Sequence, residues 1–105
     1  MTLKTNRFLQ GITKFISLAK GESRLAALLD ELLTPAEIAK VHERIKIISG
    51  FQEGMTQREI VKKTGAAIAT VTRGSALAKK SPFIAGELVK KASGQRWWRR
   101  LFWQD

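Results

Sequence analysis

Apolar residues in the first third of the chain recur at three- and four-residue spacing. Phe8, Leu9, Ile12, Phe15 and Ile16 share one helical face between Phe8 and Leu18, and Leu25, Leu28, Leu29, Leu32 and Leu33 repeat the pattern after a break at Gly21-Glu22-Ser23. Ser23 offers a hydroxyl that can cap the second run. Thr34-Pro35-Ala36-Glu37 is a sharper start, with a cap hydroxyl, proline at the first helical position and glutamate at the third, so that orphan amides are satisfied from both directions. The long helix opening there carries a stripe of Ile38, Val41, Ile45, Ile48 and Phe51, predicted to be its buried face, and should stop at Gly54.

A second box, Thr56-Gln57-Arg58-Glu59, opens a short helix through Ile60 and Val61 that Gly65 ends. Ala67-Ile68-Ala69-Thr70-Val71-Thr72-Arg73 reads as another helix only a few residues later, so residues 56–80 form two short helices around a tight turn. Such a unit is either a packed helical corner or a DNA-reading head. The small side chains Ala66, Ala67, Ala69, Thr70 and Thr72 let a helix backbone approach a major groove closely, and Ala and Thr methyls can touch thymine methyls. Ser81-Pro82 caps a last predicted helix through Phe83, Ile84, Leu88 and Val89, fading at Ala92-Ser93-Gly94. No strand alternation or internal repeat interrupts this all-α pattern, which reads as one helical domain over residues 1–94 followed by a tail at 95–105.

Charge favours the DNA reading. The 105 residues carry a net charge of +10, and the imbalance lies in the second half: residues 56–105 hold eleven Lys/Arg against three Asp/Glu, residues 1–55 eight against six. Basic surfaces seek polyanions, and Gln57, Arg58, Lys62, Lys63, Lys79 and Lys80 are spaced as a phosphate-contacting rim. There is no cysteine and one histidine, which excludes disulfides, thiolate chemistry and Cys/His zinc sites and fits a reducing cytoplasm. His42 has no neighbour at metal spacing and reads as an exposed helix residue, and Met55 reads as a core plug. No nucleophile-base set, clear carboxylate pair or phosphate-cradling loop is present, so an enzyme reading has nothing to rest on, and no metal or cofactor is expected.

The residues Leu33-Thr34-Pro35, Gly54-Met55-Thr56-Gln57-Arg58-Glu59 and Gly65-Ala66-Ala67-Ile68-Ala69-Thr70-Val71-Thr72-Arg73-Gly74-Ser75 resemble the tryptophan repressor family. The Ile-Ala-Thr-Val-Thr-Arg-Gly-Ser run is far more specific than a generic helix-turn-helix, and the likeness extends from Leu33 to Pro82. The resemblance implies a six-helix subunit interlocked with its twin as a homodimer, an aporepressor that binds operator DNA with L-tryptophan as corepressor and blocks transcription initiation of tryptophan-biosynthesis genes. The positions matching the family's DNA contacts are Gln57, Arg58, Ile68, Ala69, Thr70, Thr72 and Lys79, and those matching its corepressor contacts are Arg44, Arg73, Gly74, Leu33 and Thr34. In the family the indole lies between the two arginines, where a guanidinium can stack on an aromatic face. This chain departs from the family pattern in three places: Leu77 stands where a serine meets the ligand's amino group, Glu31 replaces a pocket leucine, and the Phe51–Met55 connection is one residue shorter.

Outside that likeness lies Arg96-Trp97-Trp98-Arg99-Arg100-Leu101-Phe102-Trp103, which holds all three tryptophans of the chain. Its composition suits a membrane interface or stacking on nucleic acid, and equally a terminal helix docking its aromatics or a frayed end. Two further functions therefore stand beside the repressor: a helix-turn-helix regulator independent of tryptophan or using another effector, and a peripheral membrane or protein-interaction module acting through the tail. No segment is apolar over enough residues to span a bilayer.

Overall fold

The computed structural model describes residues 3–103; residues 1–2 and 104–105, at the ends of the predicted domain and tail, lie outside them. Among the described residues every regular element is helical: α1 (Leu3–Ile16), α2 (Glu22–Leu32), α3 (Pro35–Gln52), α4 (Gln57–Thr64), α5 (Ile68–Lys80), a π-helical turn (Ile84–Leu88), α6 (Val89–Ser93) and α7 (Arg96–Phe102). The helices α1 to α6 answer to the six that the resemblance implies, and α7 is an addition. Two compact units are present, Met1–Ile38 and Ala39–Asp105.

In the N-terminal unit the predicted faces form, yet they remain open. Phe8, Ile12 and Phe15 on α1 are all more than half exposed, and α2 buries no residue. The predicted cap at Ser23 is not used. Gly21 is the N-cap of α2, its φ of 87° turning the chain into the helix early enough that Ser23 is already inside it. The Thr34 box forms as predicted: the Glu37 amide donates to Thr34 Oγ1 at 3.1 Å, and the Thr34 amide donates to the Glu37 carboxylate at 2.9 Å.

The C-terminal unit holds a core of Ile47, Ile60 and Val71, all fully buried, with Ala66 beside them and Phe51, Met55, Val61 and Trp103 packed around. Met55 thus takes the plugging position predicted for it. The buried stripe of α3 follows prediction at Ile48, which is buried, and at Phe51, which packs on the core, and departs from it at its start and in its breadth. Ile38 and Val41 are 36% and 43% exposed, while the consecutive residues Ile47, Ile48, Ser49 and Gly50 are all buried. A stripe presumes one neighbour on one side, whereas the second half of α3 meets neighbours on several: Gly74 of α5 against Ile47, and Ile60 and Trp103 against Gly50.

The last predicted helix is widened at its start. Ser81 Oγ accepts from the Ile84 amide at 3.1 Å as a cap, after which the Gly86 and Leu88 amides donate to the carbonyls of Ser81 and Phe83, five residues back, at 3.2 and 3.1 Å. A π turn shifts the helical register by one residue, and here the adjacent Leu88 and Val89 both border one groove. The tail beyond Gly94 is helical and docked. Trp98 is 7% exposed, Phe102 stacks on the His42 ring at 4.8 Å, and Trp103 donates its indole N–H to the Lys46 carbonyl at 2.8 Å beneath the Lys46 ammonium. His42, exposed as predicted, therefore has a packing partner the sequence did not announce.

Candidate DNA-binding face and ligand cleft

The two-helix head is assembled by local chemistry. Thr56 Oγ1 accepts from the Glu59 amide at 3.1 Å, and the Glu59 carboxylate accepts from the Thr56 amide at 3.0 Å. That backbone hydrogen bond, then the one to the Thr56 side chain, hold the Glu59 carboxyl below its ordinary range, with Lys63 adding a smaller pull. Gly65 ends α4 in the left-handed region at φ 72°, returning its amide to the Val61 carbonyl. The Thr64 hydroxyl pins the turn, donating to the Ile60 carbonyl at 2.7 Å and accepting from the Ala66 amide at 3.1 Å. The buried Ile60, Ala66 and Val71 then lock α4 against α5.

This packing collects four of the seven predicted DNA contacts. Gln57 and Arg58 of α4 and Ile68 of α5 border one shallow surface depression with Val61 and Lys62, and the Gln57 amide donates to the Thr72 hydroxyl at 2.7 Å. Ile68 is 66% exposed, an apolar side chain held out at the start of α5, and Ala69 beside it is exposed as well. Two residues sit elsewhere. Thr70 turns toward α3, and Lys79 lies at the far end of α5 with its ammonium 5.4 Å from the Phe51 ring centroid. The N-cap of α5 is Ala67, which supplies no side-chain hydrogen bond, so the first amides of that helix are left for an outside acceptor such as a phosphate oxygen.

Behind α5 lies a cleft of about 120 Å³, lined by Lys40, Glu43 and Arg44 of α3 and by Thr70, Arg73, Gly74 and Leu77 of α5. Both sets follow the i, i+3, i+4 rhythm of a single helical face, so two helices present matched faces to each other. Their spacing is set at Gly74, where an added Cβ would collide with the Ile47 side chain. The predicted corepressor residues Arg44, Arg73 and Gly74 are thus brought together, while Leu33 and Thr34 belong to the N-terminal unit, at the ends of α2 and α3. Sequence reasoning missed Lys40 and Glu43, which share a helical face with Arg44 but are marked as cleft residues only by the facing of α5. A larger cavity of this unit lies elsewhere, an apolar groove of about 530 Å³ walled by Ile45, Ile48, Leu88, Trp97 and Phe102.

A capped helix, a glycine turn and a second helix with an open N-terminus, set in a strongly basic half-chain, define a helix-turn-helix DNA-binding regulator. The family model described as Trp repressor protein matches residues 7–91, and the chain belongs to that family, one of transcriptional regulators rather than enzymes. No solved structure matches the chain. The match ends before α7, so the docked Trp/Arg helix is an addition to the matched region. Among the described residues no helix is long and apolar enough to cross a membrane.

Proposed function

We propose that this protein is an aporepressor that takes L-tryptophan as corepressor, binds a near-palindromic operator as a homodimer and blocks transcription initiation of tryptophan-biosynthesis genes. The observation that carries the reading is that one helix serves both sites. The face of α5 bearing Thr70, Arg73, Gly74 and Leu77 closes the cleft, while Ile68, Ala69 and Thr72 of the same helix stand exposed. A ligand held between Arg44 and Arg73 bears on the orientation of α5, and DNA selecting that orientation favours the ligand in return. Gln57, Arg58, Ile68, Ala69 and Thr72 are proposed as the DNA-facing set, with Lys79 adding phosphate affinity, while Thr70, which lines the cleft, is proposed as a DNA contact on the resemblance alone. Leu33 and Thr34 remain proposed ligand contacts on the strength of the resemblance.

Two open apolar surfaces support the homodimer: the α1 stripe of Phe8, Ile12 and Phe15, and the groove of the C-terminal unit. A chain of this length gains much of its stability by covering such surfaces with a second copy.

The test is fluorescence anisotropy of labelled duplexes carrying the protein's own upstream region and tryptophan-biosynthesis promoters, at fixed salt, with and without L-tryptophan. Specific binding that requires tryptophan is the expected result. Specific binding indifferent to tryptophan would retain the DNA-binding head and replace the effector, as the apolar Leu77 in the cleft would then explain.

A further inference from the structure

We infer that Glu43 is the group that recognises the α-ammonium of the ligand, and so makes the cleft selective for amino acids over the corresponding carboxylic acids. The inference rests on the corepressor reading above and deepens it. Of the seven residues lining the cleft, Lys40, Arg44 and Arg73 are cationic, Gly74 and Leu77 bring no polar side chain, and Thr70 brings a hydroxyl. Glu43 is the one carboxylate. A zwitterionic amino acid placed there meets three charges suited to its carboxylate and to the face of its ring, and a single charge suited to its ammonium.

Glu43 is free for that task. It is half-buried on the α3 face toward α5, one turn from Lys40 and beside Arg44, yet the one ion pair among the described residues is Glu87–Lys91. Lys46, which could reach it three residues along the helix, is instead held over the Trp103 ring at 4.7 Å. Leu77, on the facing helix, can neither accept from an ammonium nor donate to a carboxylate, so discrimination passes to the opposite wall. A cleft of about 120 Å³ encloses part of an amino acid, and four of its seven lining residues are charged, so the polar head finds its partners on the cleft's own walls. A charge-assisted hydrogen bond at such a half-buried site separates ligands by about tenfold.

The experiment is equilibrium dialysis of L-tryptophan and of indole-3-propionate, which keeps the ring and carboxylate and lacks the ammonium, against the full chain and its Glu43→Gln and Thr70→Val variants. The unaltered protein should prefer L-tryptophan. Glu43→Gln should weaken L-tryptophan by about tenfold while leaving indole-3-propionate within about twofold, and so remove the preference. Equal losses for both ligands in Glu43→Gln, an unchanged L-tryptophan affinity, or loss of the preference in Thr70→Val alone would each overturn the assignment. Failure of both ligands to bind the unaltered protein would overturn the corepressor reading itself, a different result from any of these. Thermal melting of Glu43→Gln should match that of the parent, since the change is isosteric on a helix surface.

Discussion

The two units of this chain are written with the same kind of helical pattern and end in opposite states. In the C-terminal unit Ile47, Ile60 and Val71 are fully buried, whereas in the N-terminal unit α2 buries nothing and the α1 stripe stands in solvent. Amphipathic spacing fixes which face is apolar; only a second surface decides whether that face becomes a core. The head finds its second surface within about twenty residues of sequence, because α4 and α5 are joined by a tight turn. The N-terminal helices are neighbours in sequence as well but do not close on each other, and a second copy is the proposed covering surface.

The sharpest way to break this contrast is to charge the open face. Phe8→Glu combined with Ile12→Glu removes two apolar anchors worth about 1.5–3 kcal/mol each, so sedimentation should show the self-association constant weakened by at least a hundredfold, to about the level of a monomer at working concentration. An unchanged dimer would mean that the exposed stripe is not an interface. Next in size, Ile47→Ala should cost about 2–5 kcal/mol in urea unfolding, since it empties the space that α5 closes at Gly74. A cost under about 1 kcal/mol would put the centre of the core elsewhere.

Smaller effects separate local from tertiary support. Thr56→Ala should lower stability by about 1 kcal/mol through loss of the α4 cap. The cap also carries a pH signature. Because the Glu59 carboxyl is held below its ordinary range, its contribution is present above the unfolded-state value and lost as pH falls through the folded one. The difference between parent and Thr56→Ala should therefore shrink on acidification through that window, and a difference independent of pH would detach Glu59 from the cap. Smallest is Ser49→Ala. The Ser49 hydroxyl is buried with no hydrogen-bond partner, so its removal should raise stability by up to about 1 kcal/mol, read as a higher urea midpoint.

Legibility in the sequence follows the same line. The Thr34 and Thr56 boxes, the Gly65 turn and the α4–α5 pair were readable because each is set by residues within a few positions of one another. The burial of Ile48 was readable from its place in the apolar stripe; that of Ile47, Ser49 and Gly50 beside it was not, since it depends on Gly74 and Trp103 arriving from distant parts of the chain. Arg44 and Arg73 were carried over from the family, while Lys40 and Glu43 emerged only once the facing of α3 and α5 was known. The tail was ambiguous for a different reason. Tryptophan and arginine suit lipid, nucleic acid and a folded neighbour alike, and the choice came from Gly50, whose missing side chain leaves room for Trp103.

The docking of α7 gives this protein a built-in optical gauge. All three of its indoles lie between Trp97 and Trp103, one exposed, one buried without a partner for its N–H, and one bonded to Lys46. Emission excited at the red edge thus reports one short helix and its seat on α3, while the head and the N-terminal helices are silent. Undocking of that helix can be timed by itself, ahead of or together with global unfolding. Any titration with tryptophan must instead be followed by a signal other than the protein's own light.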